Sequence, residues 1–151
     1  MTTTTSKSTT KKTGTRKKTS SKPNKPLETL LTNGVWEWHE WNFKGKENLS
    51  ILNISDSNKD EDWLREQGYK NIKTISPNNI QDLEYERDYH IAILMYLKEM
   101  KDDEVRNDLM YEVGERLHPV GAQFIAISNK ANIELDTNIV EENNTYTTYV
   151  C

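Results

Sequence analysis

Apolar and polar positions fall into blocks of different period along this chain, and the blocks predict its elements. Residues 91–97 (Ile-Ala-Ile-Leu-Met-Tyr-Leu) form an unbroken apolar run, the pattern of a strand buried on both faces. Val105, Leu109, Val113 and Leu117 then recur every fourth residue and predict one apolar stripe along a helix. Asp102, Asp103 and Glu104 load its start while Arg116 and His118 load its end, both matching the helix dipole. Pro119 and Gly121 are expected to stop it, and residues 122–127 predict a second buried strand. Strand, helix and strand joined by short links make a crossover that forces the two strands parallel.

The preceding residues repeat this order. Residues 48–55 read as a first parallel strand, and 60–69 as a helix with Trp63 and Leu64 inward, ended by Gly68. Residues 71–76 read as a second strand closed by Pro77, and the polar stretch 78–87 is too short for a further helix and strand. Upstream, residues 27–31 begin a short helix that Asn33-Gly34 ends. The segment 34–43 (GVWEWHEWNF) reads as an extended flap, with Trp36 and Trp38 on one face and Glu37 and His39 on the other. After Ser128, residues 133–135, an Asn-rich turn at 141–144 and the alternating 145–150 predict a hairpin. The expected fold class is thus α/β, a mostly parallel sheet flanked by helices, carried by residues 27–151.

Charge sets residues 1–26 apart from that domain. They hold Lys7, Lys11, Lys12, Arg16, Lys17, Lys18, Lys22 and Lys25 with no acid, leaving twelve basic and twenty-four acidic residues in the rest. A Thr/Ser/Lys-rich segment of this kind offers too little apolar surface to order alone, so it is expected to be a disordered basic arm. Lys11, Lys12, Arg16, Lys17 and Lys18 are candidate contacts to nucleic acid or an acidic protein, of a sequence-independent kind. Trp36 and Trp38 are candidates for stacking on a base or a partner side chain. The only cysteine is Cys151, which excludes an intrachain disulfide and points to a cytoplasmic or other reducing compartment. No run has the length of a membrane span, and the N-terminus lacks a signal peptide's apolar core, so no membrane partner is expected. His39, His90 and His118 show no metal-ligand spacing, so no metal is expected. No nucleophile–base pair, catalytic carboxylate pair or phosphate loop stands out.

Three stretches resemble a known family. Residues 87–100 (RDYHIAILMYLKEM) resemble the fourth strand and following loop of the Rossmann-like class I S-adenosylmethionine-dependent methyltransferases. Residues 113–128 (VGERLHPVGAQFIAIS) resemble that family's turn into its fifth strand, and 63–76 (WLREQGYKNIKTIS) its first helix running into its second strand. The resemblance covers residues 49–128 and implies a reduced Rossmann-like sheet with a cofactor site at the strand ends. Carried over position by position, Asn53, Ser55, Asp56 and Ser57 line the cofactor loop, and Ser76 and Asn78 face the ribose position. Tyr96 belongs to the same site, and Lys98 and Glu99 lie on the substrate side.

The departures bear on function. The family's loop is glycine-rich and follows an acid, whereas residues 52–58 contain no glycine and Asn53 replaces the acid. Ser76 stands where the family places the ribose-binding acid. The resemblance therefore implies a methyltransferase-like domain with a degenerate cofactor loop, a non-catalytic binding or regulatory module with a basic arm. The alternative is an active small methyltransferase that uses S-adenosylmethionine through an atypical loop. A third reading, the receiver fold, rests on residues 124–131 (FIAISNKA), but Tyr96-Leu97-Lys98 occupies the place of its phosphoacceptor aspartate.

Overall fold

The computed structural model describes residues 25–85, 87–95, 102–128, 138–142 and 146–151. Six strands form one sheet: β1 (Ser50–Ile54), β2 (Asn71–Ile75), β3 (Tyr89–Leu94), β4 (Leu117–Ser128), β5 (Asn138–Glu142) and β6 (Tyr146–Val150). Their spatial order is β2-β1-β3-β4-β6-β5. The pairs β1–β2, β1–β3 and β3–β4 are parallel, whereas β6 runs antiparallel to both β4 and β5. This is the expected helix-flanked α/β sheet. Ile51 pairs with Ile91, Asn53 with Ile93, and Leu94 with Ile125, so the three central segments lie side by side. β5 and β6 form a terminal hairpin, but Glu141 and Glu142 of the expected turn belong to β5; residues 133–135, 143 and 144 lie outside the described residues.

The helices are α1 (Lys25–Leu30), α2 (Gly34–Asn42), α3 (Lys59–Glu66) and α4 (Asp103–Gly114), with a 3-10 turn at Pro77–Asp82. Alternation along the strands splits the core in two. Ile51, Ile91, Ile93 and Phe124 pack with Leu27, Trp36, Trp63 and Leu64 of α1, α2 and α3. Leu52, Ile54, Leu94 and Ile125 pack with Ile80 of the turn and with Leu109, Met110 and Val113 of α4. The crossover through α3 steps from β1 outward to β2, and that through α4 steps the opposite way from β3 to β4. Two crossovers of one hand and opposite direction place their helices on opposite faces, which yields three layers.

Several local expectations are corrected. Residues 34–43 are not an extended flap: 34–42 form α2, capped by the Asn33 side chain accepting from the Val35 amide. Asn33 therefore starts a helix as well as following one. Along α4 the buried stripe is Arg106, Leu109, Met110 and Val113, while Val105 is 52 % exposed. The helix ends at Gly114, so Leu117, His118, Pro119 and Gly121 belong to β4 and do not terminate α4. Pro119 is tolerated there because β4 bulges: Tyr89 pairs with Leu117 and Ile91 with Ala122. Gly121 closes the bulge, and a Cβ on it would sit 2.9 Å from the His118 carbonyl and 3.1 Å from that of His90.

Candidate functional site

The strand order turns between β1 and β3, and in open α/β sheets ligands bind at the carboxyl ends of strands on either side of such a turning point. Here those ends are Ile54 and Leu94. Asn53 is 1 % exposed, and its Nδ2 donates to Thr74 Oγ1 at 3.2 Å. Thr74 Oγ1 donates to Glu61 Oε1 at 2.6 Å, and Arg65 Nε donates to Glu61 Oε2 at 2.9 Å. Arg65 further donates to the Lys70 and Ile72 carbonyl oxygens. The Thr74 hydroxyl, with Arg65 beside it, holds the Glu61 carboxyl below the usual carboxylate range against the opposing effect of burial. This chain of bonds fastens the first turn of α3 to β1 and β2.

The loop between β1 and α3 uses its own polar groups. Ser55 Oγ accepts from the Ser57 amide, and Ser57 Oγ accepts from the Lys59 amide, both at 3.1 Å. The Ser55 amide donates to the Ile75 carbonyl, extending the sheet pairing by one residue. Asp56 is exposed at the tip. Ser76 caps the 3-10 turn by accepting from the Asn78 amide at 3.3 Å, and the Asn78 side chain is exposed. Asp60, Glu61 and Asp62 fill the first turn of α3 with negative charge, which disfavours a further anion at that terminus. Asn53, Ser55, Ser57 and Ser76 are thus gathered at one end of the sheet, as their sequence positions imply, and engaged in bonds within the chain. Tyr96, Lys98 and Glu99, and the arm residues Lys11, Lys12, Arg16, Lys17 and Lys18, lie outside the described residues.

The helical state of residues 34–42 separates the tryptophans. Trp36 is fully buried, its Nε1 donating to Tyr69 Oη at 2.9 Å and its ring against Phe124 at a 5.6 Å centroid distance. Tyr69 Oη in turn donates to Glu40 Oε1 at 2.9 Å. Burial, more than the nearby carboxylate, pushes the Tyr69 phenol well above its ordinary range. Trp38 and Trp41 are 48 % and 84 % exposed. The rings available to a partner are therefore those of Trp38 and Trp41, and Trp36 belongs to the core. A cavity of about 620 Å³ opens beside Trp41, lined also by Glu37, Glu40, Lys44, Lys46 and Tyr69.

Sequence reasoning missed a cluster at the opposite, amino end of the strands. Phe43 stacks on His90 with centroids 3.6 Å apart and planes 8° from parallel, while His118 meets both rings edge-on at 5.4 and 5.7 Å. His39 completes it, its two ring nitrogens each 2.7 Å from a carbonyl oxygen, of Val35 and Val120. Had residues 34–42 been read as a helix, the spacing of Trp36, His39 and Phe43 would have placed all three on the inward face. Among the described residues no three His, Cys, Asp or Glu side chains are arranged to hold a metal ion. No helix among them is long and apolar enough to cross a membrane. Set against known proteins, the chain matches no family model and no curated protein sequence.

Proposed function

We propose that this chain is a methyltransferase-like module that acts by binding, without cofactor chemistry, and that its basic arm contacts nucleic acid through phosphate charge. The reading rests on one observation: at the carboxyl ends of β1 and β2, Asn53, Ser55, Ser57 and Ser76 all bond within the chain. A ligand there would have to displace those bonds, and an acidic helix start faces it. The mostly parallel, helix-flanked sheet and the sequence resemblance support the reading; the arm's eight unopposed cations supply the partner chemistry.

Titration calorimetry with S-adenosylmethionine tests the first half. No heat is expected up to about 1 mM ligand, the weakest range of specific affinity, and micromolar binding would overturn the reading. Fluorescence anisotropy with single-stranded oligonucleotides tests the second. Affinity should fall steeply with salt and vanish when Lys11, Lys12, Arg16, Lys17 and Lys18 are replaced by glutamine; acidic-protein binding by the arm, with no oligonucleotide binding, would move the partner class. The turn of strand order between β1 and β3 favours the second reading, an active small methyltransferase with an atypical loop. The same calorimetry decides between them.

A further inference from the structure

We propose that the segment Arg16-Lys17-Lys18 docks on the cavity beside Trp41, closing the arm onto the acidic body of its own chain. Trp41 presents an indole that is 84 % exposed at the rim of this cavity of about 620 Å³. Glu37, Glu40 and Trp41 occupy positions three and four apart on α2 and so share a side of the helix. An indole face flanked by two carboxylates is a receptor for a guanidinium or an ammonium group. Lys46 already shows this preference in the same cavity: its Nζ lies 5.3 Å from the Tyr69 ring centroid and donates to the Gln67 carbonyl oxygen at 2.9 Å. Lys44 and Lys46 are the opposing charges in this lining, so the net attraction comes from the acidic body around it; Lys44 is exposed at the rim.

Charge and reach select the occupant. Residues 1–26 carry eight basic residues and no acid, against twelve basic and twenty-four acidic residues in the remainder. α1 begins at Lys25, and Leu31, just past its end, also lines the cavity. Six helical residues rise about 9 Å, a distance that about three extended residues cover. The seven residue steps from Lys25 back to Lys18 can span up to about 25 Å, well over that rise, so positions 18, 17 and 16 are within reach of the indole. The aliphatic stems of these side chains also cover apolar ring surface that is otherwise wet. Arm residues held this way are withheld from nucleic acid, so a polyanion and the body compete for the same cations. The docking holds whether or not the arm also binds nucleic acid.

The test uses the full chain and acrylamide quenching of tryptophan fluorescence, with the Trp41 contribution isolated by subtracting the Trp41→Phe signal. Replacing Arg16, Lys17 and Lys18 by glutamine should raise the quenching of Trp41 about twofold, because a docked segment shields one face of the indole. Unsubstituted protein at about 1 M salt, where screening acts within about 3 Å, should show the same rise, and tenfold dilution should change nothing. Equal quenching in all three conditions would overturn the proposal. So would shielding that disappears on dilution, which assigns the cavity to a second copy's arm.

Discussion

His39 Nε2 lies 2.7 Å from the Val120 carbonyl oxygen, a bond that spans 81 residues of sequence and ties α2 to the bulge in β4. The other ring nitrogen lies 2.7 Å from the Val35 carbonyl, so full use of both contacts needs a proton on each nitrogen. His39 is 3 % exposed, so solvent has little access to these bonds. Replacing it by leucine keeps the volume and leaves the Val120 oxygen without its donor. Urea unfolding should register a loss of about 1–3 kcal/mol, with faster amide exchange at residues 118–121. An unchanged midpoint would mean that the bulge is held by its own backbone alone.

His90 makes stability fall in mild acid. The Ser50 amide donates to His90 Nδ1 at 3.0 Å, which requires a lone pair there and a neutral ring. Burial first, then the positive fields of His118 and His39, hold its pKa below the ordinary 6.5, with Asp88 opposing. As pH drops below 6.5 the unfolded chain takes up a proton at this position before the folded one does. Stability therefore declines with falling pH and levels off once the lowered folded value is passed. Thermal unfolding between about pH 7 and pH 5 should show this decline. His90→Asn, which keeps an acceptor without titrating in this range, should flatten it; an unchanged slope would place the titration on another group.

Asn53→Asp puts back the acid that the resembled family carries, and should destabilise the fold. The substitution removes the donor to Thr74 Oγ1 and buries a carboxylate close to Glu61. A loss of roughly 3 kcal/mol is expected in urea unfolding, since a buried charge without a donor costs more than a neutral orphan. A variant as stable as the parent and now able to bind S-adenosylmethionine would contradict the binding-module reading directly.

Tyr69→Phe removes one hydroxyl from the middle of a relay. Trp36 Nε1 loses its acceptor and Glu40 its donor. The buried indole N–H should cost about 1–3 kcal/mol, and Trp36 emission should change while Trp41 quenching does not. Equal stability would mean that water reaches Trp36 Nε1 in the variant.

The parallel sheet was legible because its strands announce themselves: residues 91–94 are apolar without interruption and 122–127 are apolar but for Gln123, as a two-faced core demands. α3 was legible from its acidic first turn and Gly68, which adopts φ 106°. α2 was misread because three indoles in six residues carry a strong strand preference, while tertiary burial of Trp36 and His39 selects a helix. Of the expected stripe, Leu109 and Val113 do face inward, whereas Arg106 takes the place of Val105 and Leu117 lies past the end of α4. The loop positions of the candidate site were legible, but their hydrogen bonds were not. That Ser55 and Ser57 serve their own turn depends on backbone directions that no residue type specifies.

β6, the later strand of the hairpin, lies inside the sheet, between β4 and β5. Residue 151 continues that seam, exchanging both backbone bonds with Gln123. Assembly at this edge must therefore run against chain order: β5 is synthesised first yet has no sheet position until β6 has zipped onto β4. During synthesis the open flank of β4 (Phe124 to Ser128) waits for a partner that emerges more than fifteen residues later, an interval in which another chain's strand can take the vacancy.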